Sequence, residues 1–294
     1  MLRTRQPQHW TALSMTRNPP SRRRLCQHLA ALTGAALLPA GAVCAADPAG
    51  ALCGTAPAPA YPPQDKPPII QTWLVDGHRD GPTPDCSALQ GREFELLVRL
   101  TASLAAPPDA DLMLTRLGAV SARKNATYWS FTDHKRLALF KEAYAVDSAT
   151  NLQARADFSA AELRHGQELT YVHSDNRSAK LMPYGMRLVK STPDSLQLHI
   201  ENLGELRMYG MLMLAAHETQ WSVTLERLGA GRWGYRSLLA QRRLRMGRNE
   251  QHRLSNLARS VAMFDLLAGR QTDLQAPTRG AAPPTAAAPP TPPR

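Results

Sequence analysis

The stretch "ENLGELRMYGMLMLAAHETQWSVTLERLGAGRWGYRSLLAQRR", residues 201–243, decides the fold class. Short apolar runs alternate in it with turn residues, which is typical of antiparallel strands. "WSVTLERL" (221–228) and "RWGYRSLLA" (232–240) flank Gly229-Ala230-Gly231, so we expect them to form a hairpin. "ELRMYGMLMLAA" (205–216) is apolar on both faces, which predicts one strand covered on both sides.

The same period of two begins upstream, at Glu168. "ELTYVHSDN" (168–176) reads as one strand. "YGMRLVKS" (184–191) and "SLQLHIEN" (195–202) are predicted to form a hairpin about Thr192-Pro193-Asp194. In the second of these strands, Leu196, Leu198 and Ile200 share one face.

Downstream, the pattern changes to that of a long helix. We predict that residues 250–268 are helical and that Gly269 ends the helix as its C′ residue. The inner face is expected to carry Leu254, Leu257, Val261 and Phe264. The predicted partners on the strands are Leu198, Ile200, Met211, Met213, Val223 and Leu225.

Before the strand-rich region the pattern is mixed. Ile69 to Val75 predicts a short strand, Phe94 to Leu104 a strand or a helix, and residues 126–133 another strand. Asp109 is a predicted helix N-cap. Residues 134–146 predict a second helix, capped by Asp133, with Leu137, Phe140 and Tyr144 at helical spacing.

These elements predict an α+β fold. We expect a curved antiparallel meander wrapped around the long C-terminal helix, with two shorter helices before the meander. This arrangement resembles the helix-grip fold of START-like and polyketide-cyclase-like proteins. An open α+β sheet and a lipocalin-like barrel are the alternatives, but a barrel leaves the two earlier helices unexplained. The predicted domain spans residues 69–273, between a Pro/Ala-rich extended arm (47–68) and a disordered Pro/Ala-rich tail (274–294).

Residues 1–46 predict an export signal. Arg22-Arg23-Arg24 precedes the apolar run 29–38, and small residues follow at 43–46. The route is either general secretion or the twin-arginine pathway, and translation starts at Met1 or Met15; an uncleaved anchor is the alternative. A periplasmic or secreted location follows. Without residues 1–46 the chain holds 29 basic and 24 acidic residues, so we expect no nucleic-acid partner.

Two cysteines remain after removal of the signal, Cys53 and Cys86, on either side of a proline-rich stretch. In an oxidising compartment they predict a disulfide that ties the arm to the domain. A redox or zinc site is the alternative, but it lacks the usual spacing and the additional ligands.

No catalytic motif and no metal-binding set is recognisable, and no cofactor is implied. His173 and Asp175 lie two apart on one strand face, which suits a polar edge better than a catalytic pair. Three functions remain open: a periplasmic carrier for an apolar or lipid-like ligand, an enzyme that uses the same cavity, and an envelope-associated protein with a filled core.

For the carrier, the predicted strands supply candidate pocket residues. Aromatic and methionine side chains would form an adaptable apolar wall, and Arg187 with its neighbours would supply the polar end. The alternative is that the aromatic residues are plain core. The predicted ligand-binding residues are Trp129, Tyr184, Arg187, Asn202, Met211, Met213 and Trp233.

Several short pieces in order resemble an uncharacterised family of exported proteobacterial proteins that carry a domain of unknown function. The pieces are Tyr128-Trp129-Ser130, Asp157-Phe158, "SDNRS" (174–178), Tyr184 with Met186-Arg187, Glu201-Asn202, Trp233-Gly234-Tyr235 and "LSNLARSVAMFDLLAGRQTD" (254–273). They span roughly residues 50–273. The resemblance implies an exported single domain and supplies no catalytic residues.

Overall fold

A computed structural model describes residues 52–91, 93–131, 133–175, 180–208, 210–243, 245 and 250–270. The predicted signal (1–46) and the predicted tail (274–294) lie outside these residues, so both stay predictions. In the described part of the chain, no helix has the length and apolar character needed to cross a bilayer.

Strands dominate the structure. In chain order the strands are β1 (Ile69–Leu74), β2 (Leu96–Ala105), β3 (Thr127–Ser130), β4 (Lys135–Ala138), β5 (Phe140–Val146), β6 (Ala154–Arg155), β7 (Leu169–Asp175), β8 (Met182–Thr192), β9 (Ser195–Asn202), β10 (Leu206–Met208), β11 (Met211–Leu214), β12 (Thr219–Gly229) and β13 (Arg232–Gln241). The helices are α1 (Ala110–Gly118), α2 (Ala160–Arg164) and α3 (Glu250–Leu267), and a 3₁₀ helix covers Val120–Asn125.

Nine strands form one antiparallel sheet in the order β1-β2-β13-β12-β9-β8-β7-β5-β6. The predicted hairpins β8–β9 and β12–β13 are both present. Two smaller sheets, β3–β4 and β10–β11, stand apart from the large one. With the long C-terminal helix, this arrangement confirms the α+β, helix-grip-like fold class.

Helix α3 packs between the large sheet and the β3–β4 hairpin. Phe264 is fully buried and packs on Tyr235 of β13, with ring centroids 5.1 Å apart. On the opposite side of the helix, Ala258 and Ala262 pack in one cluster with Tyr128 of β3. The large sheet therefore covers one side of α3, as predicted, and the β3–β4 hairpin covers the other.

The predicted contact set of α3 is right in part. Leu198, Ile200, Val223 and Leu225 belong to the same hydrophobic cluster as Phe264, and Val261 packs against it. Leu254, Leu257 and Val261 are only half-buried. The two predicted methionine partners lie elsewhere, on the β10–β11 hairpin.

The end of α3 follows the predicted glycine signal. Gly269 has φ +66°, the left-handed conformation that glycine adopts without steric cost. Its N–H donates to the carbonyl of Leu266 at 3.1 Å. The N–H of Arg270 donates to the carbonyl of Asp265 at 2.9 Å. This is the bond pattern of a Schellman motif, which satisfies the last carbonyl groups of the helix.

The predicted helix at 134–146 is wrong, because this segment forms β4 and β5. His134 has φ +52° and turns the chain from β3 into β4. Asp133 caps no helix; its carboxylate instead accepts a hydrogen bond from the Ser130 hydroxyl at 2.6 Å. Pairing of β4 with β3 and of β5 with β7 outweighs the local helical spacing of the apolar residues.

The predicted continuous strand at 205–216 is also wrong. Gly210 has φ +79° and reverses the chain, so the segment forms the hairpin β10–β11. Met211 beside the turn is 62% exposed, although we predicted it to be covered. The hairpin leaves the large sheet between β9 and β12.

The proline-rich arm covers the face of the sheet opposite α3. The Ser103 hydroxyl on β2 donates to the carbonyl of Pro62 at 2.6 Å, and Arg99 donates to that of Pro57 at 3.2 Å. The predicted disulfide between Cys53 and Cys86 is present, with Cα atoms 5.5 Å apart. It ties the start of the arm to the loop before β2.

Candidate functional site: a two-chamber cavity beneath the C-terminal helix

Between α3 and the concave face of the sheet the packing is incomplete, and two cavities remain. One has a volume of about 280 Å³, and we call it the aromatic chamber after its wall of Phe140, Tyr171, His173, Tyr184 and Trp221. The other has a volume of about 420 Å³, and we call it the aliphatic chamber after its lining of Leu117, Val223, Leu266 and Leu267. Four residues line both chambers, so the two meet there; this junction consists of Arg123, Ile200, Trp221 and Met263.

Side chains alternate between the two faces of a strand, and this alternation brings the residues of the aromatic wall to one face of the sheet. Tyr171, His173 and Asp175 alternate along β7, so all three lie on the concave face. Thr219 and Trp221, two positions apart on β12, also lie on the concave face. Residues of α3 close the chamber from above: His252, Ser255, Asn256, Arg259 and Met263.

Aromatic rings in this wall are stacked. The His173 ring lies 4.2 Å from Phe140 and 4.2 Å from Tyr184, measured between ring centroids. Tyr171 and Tyr184 stack at 5.5 Å. Burial lowers the pKa of His173 to about 3, and the charge of Arg123 acts in the same direction. His173 is therefore a neutral imidazole at neutral pH.

Both tyrosines of the stack are neutral as well. Burial raises the pKa of the Tyr184 phenol, and it also raises that of Tyr171, where Arg123 opposes the rise only in part. Since neither the imidazole nor the phenols carry charge, the wall presents flat, uncharged rings. Such a surface suits the face of an apolar or aromatic molecule.

Arg123 is the charged group at the junction. It lies on the 3₁₀ helix and is 7% exposed. Its guanidinium carbon lies 4.2 Å from the centre of the Tyr171 ring, a cation–π contact, and its Nη2 lies 3.9 Å from the Met186 sulfur. Neither contact is anionic, and no described aspartate or glutamate forms an ion pair with this side chain.

Three buried polar atoms in the lining have no hydrogen-bond partner among the residues that the structure describes. They are His173 Nδ1, Thr219 Oγ1 and Trp221 Nε1. Buried polar atoms are nearly always hydrogen-bonded in folded proteins, and a bound molecule would supply the partners that these three lack. Six further buried polar atoms, outside both chambers, also lack a partner among the described residues.

At its far end the aromatic chamber reaches the protein surface. Lys180, Arg243 and Arg245 line this end and are exposed. Glu218 forms ion pairs with both arginines, at 3.9 Å to Arg243. The edge also includes Leu206, Met213 and Leu214 of the β10–β11 hairpin, which makes that hairpin one side of the opening.

Of the seven predicted ligand-binding residues, the structure brings two together. Tyr184 and Met213 line the aromatic chamber. The other five lie outside the lining of both chambers: Trp129, Arg187, Asn202, Met211 and Trp233. That any of the seven binds a ligand stays a prediction.

Strand geometry explains where the other residues lie. Arg187 is exposed because, in a strand, it faces away from Tyr184, three positions earlier. Asn202 is fully buried, and its amide donates to the carbonyls of Gly204 and Ala215 at 2.8 and 2.7 Å. Trp233 is core, and its Nε1 donates to the carbonyl of Pro107 at 2.9 Å.

Several polar and charged residues that line the chambers are absent from the predicted set of ligand-binding residues. His173 and Asp175 were assigned to a polar edge, yet both line the aromatic chamber, and Asp175 forms an ion pair with Arg259. The alternation of Tyr171, His173 and Asp175 was a usable signal. For Arg123 the sequence holds no such signal, since a 3₁₀ helix has no extended hydrophobic period.

Comparison with known proteins assigns no family. No family model matches the chain, and no curated protein matches it. The resemblance to an exported proteobacterial family therefore stays a prediction. No cluster of three or more histidine, cysteine or acidic residues that could hold a metal ion occurs among the described residues.

Solved structures match at low similarity. A protein from Chromobacterium violaceum, CV1439, is 12% identical with a TM-score of 0.33, and the match covers 60% of this chain and 98% of that one. Ara h 8.0201 is 10% identical with a TM-score of 0.35 over 59% and 95% of the two chains. The Zhui aromatase/cyclase from a Streptomyces strain is 12% identical with a TM-score of 0.33 over 59% and 91%. TM-scores this low carry no argument, so the fold assignment rests on the sheet order and α3.

Proposed function

We propose that the protein is an exported binding or carrier domain that holds a small apolar or lipid-like molecule beneath α3. The observation that carries this proposal is the pair of adjoining chambers, with volumes of about 280 and 420 Å³. Ligand pockets are typically several hundred Å³ in volume and mostly apolar, with a few polar groups. An ordinary packing defect in a protein interior is much smaller.

Two further observations support a binding role. The aromatic wall supplies uncharged stacked rings, and the junction supplies a few polar groups in an apolar surround. The predicted export signal and the disulfide suit a protein that works outside the cytoplasm. A filled-core envelope protein, the main alternative, would gain nothing from these gaps, because each one forfeits packing contacts.

The proposal is tested by titration with N-phenyl-1-naphthylamine, an uncharged apolar dye whose fluorescence rises in apolar surroundings. We expect saturable binding of one dye per chain. Met263→Trp puts a larger ring into the junction and should weaken binding at least about 10-fold, while the unfolding temperature stays the same or rises.

The matched control is Val189→Trp. Val189 is 54% exposed and lies outside the lining of both chambers, so this variant should bind the dye like the wild type. If the folded wild type binds no dye, or if Met263→Trp binds as well as the control, the carrier proposal is wrong. Recovery of the bound molecule without chemical change separates a carrier from an enzyme that uses the same cavity.

A further inference from the structure

An uncompensated positive charge lies in the middle of the cavity. Among the described residues no aspartate or glutamate forms an ion pair with Arg123, although this side chain is more than nine-tenths buried. Asp175 lines the same chamber, but its carboxylate is paired with Arg259. The Tyr171 ring and the Met186 sulfur, both uncharged, lie against the Arg123 guanidinium.

A buried positive charge is costly unless a negatively charged group is paired with it. Buried charges in proteins are normally paired or coordinated, because removal from water costs several kcal/mol. The cation–π contact with Tyr171 offsets only part of this cost. A guanidinium facing two apolar chambers is therefore suited to a counter-ion that enters the cavity.

A second group at the junction points to the same chemistry. Trp221 Nε1 is buried and has no acceptor in the described part of the chain, and an indole nitrogen can only donate. A guanidinium likewise donates and never accepts. Arg123 and Trp221 line both chambers, so the junction offers donors from two different elements, β12 and the 3₁₀ helix. The ligand group that complements these donors is one that only accepts hydrogen bonds.

We propose that the ligand is an apolar carboxylic acid whose carboxylate binds at the junction against Arg123 and Trp221 Nε1. This inference rests on the proposed binding function and adds the chemical class of the ligand. A carboxylate matches the planar fork of a guanidinium, and its single charge equals the single uncompensated charge among the described residues of the junction. A phosphate dianion would call for a further cation. The apolar part of the acid extends from the junction into the chambers.

The experiment compares two probes that differ only in the carboxylate. They are cis-parinaric acid and its methyl ester, both fluorescent, titrated at pH 8 where the acid is ionised. We expect the wild type to bind the acid at least about 10-fold more tightly than the ester, since a hydrogen-bonded charge pair is typically worth that much. Arg123→Met should remove this preference and leave the affinity for the ester within about 3-fold.

Two further variants keep the test decisive. Arg123→Lys retains the charge and should retain part of the preference for the acid. Trp221→Phe removes one N–H and should reduce the preference by a smaller factor, about 3-fold to 10-fold. If Arg123→Met fails to fold, which loss of ester binding would reveal, the Trp221→Phe and Arg123→Lys results decide.

The outcomes separate the two proposals. If the wild type binds the ester as tightly as the acid, or if both Arg123→Met and Trp221→Phe keep the full preference for the acid, the carboxylate inference is overturned while the carrier proposal stands. If the wild type binds neither probe, the carrier proposal falls and the inference falls with it.

Discussion

Acidification from pH 8 to pH 5 should destabilise the protein through His173. The ring lies in the aromatic stack, with Phe140 and Tyr184 at 4.2 Å on either side. Burial lowers the pKa of His173 to about 3, the charges of Arg123 and Arg259 act in the same direction, and Asp175 opposes them. In the unfolded chain the same group titrates near pH 6.5, so about 3 to 6.5 is the window in which the two states differ.

The sign and the size follow from linkage. Inside this window the unfolded chain binds a proton that the folded protein does not, so lowering the pH favours unfolding. At pH 5 the unfolded histidine gains about 2 kcal/mol from protonation, set by the 1.5 units between pH 5 and its own pKa. The folded-state pKa hardly affects this figure, provided that it lies well below 5.

Urea denaturation followed by far-UV circular dichroism measures the free energy of unfolding at both pH values. The matched variant is His173→Phe, which keeps a ring in the stack and cannot be protonated. We expect the wild type to lose about 2 kcal/mol more than the variant between pH 8 and pH 5. Burial also lowers the pKa of His199, but that contribution is common to both proteins and cancels. An equal loss in the two proteins would refute the reasoning.

Three further changes test other parts of the structure by the same denaturation assay. Replacing Cys53 and Cys86 together by serine opens a loop with a sequence separation of 33 and should cost about 3–4 kcal/mol; two titratable thiols in denatured, unreduced protein that lacks residues 1–46 would contradict the bridge. Asn202→Ala leaves the buried partners of three hydrogen bonds unpaired and should cost about 2–4 kcal/mol, so a cost under about 0.5 kcal/mol would argue against its role. Phe264→Ala should cost about 3–5 kcal/mol, whereas Met211→Ala, at an exposed position, should cost under about 0.5 kcal/mol; equal costs would rule out the grip as described.

Local signals were sufficient where the side-chain pattern and the nearby turn or capping residues indicate the same structure. The β8–β9 and β12–β13 hairpins could be predicted because alternation and turn residues agree there. The end of α3 could be predicted because glycine at position 269 is required for its left-handed conformation. In both places the information lies within a few residues of the chain.

Prediction failed where distant partners decide the structure. At 134–146 the spacing of Leu137, Phe140 and Tyr144 fits a helix, yet pairing with β3 and β7 makes the segment two strands. At 205–216 the apolar composition concealed the turn at Gly210. Both β3 and β7 are predicted as strands, but the local sequence of 134–146 does not show that this segment pairs with them.

The cavity itself is a non-local property. Whether inward side chains touch α3 or leave a gap depends on the sum of their volumes across many strands and on the height at which the helix rests. Tyr184 and Met213 could be chosen from the sequence because they are apolar and lie on predicted strands. Arg123 could not, because its place at the junction depends on how the 3₁₀ helix packs against β5.

The central claim is that a small apolar molecule binds between α3 and the sheet, and methionine-methyl NMR tests it most directly. N-phenyl-1-naphthylamine is titrated into protein labelled with ¹³C at the methionine methyl groups. Met263 and Met182 line the aromatic chamber, whereas Met113 is buried outside the lining and Met211 is exposed. We predict saturable shifts and direct dye contacts at the first two methyl groups, with the last two unchanged. Shifts confined to Met211, or no shift at Met263 at saturating dye, would contradict the account.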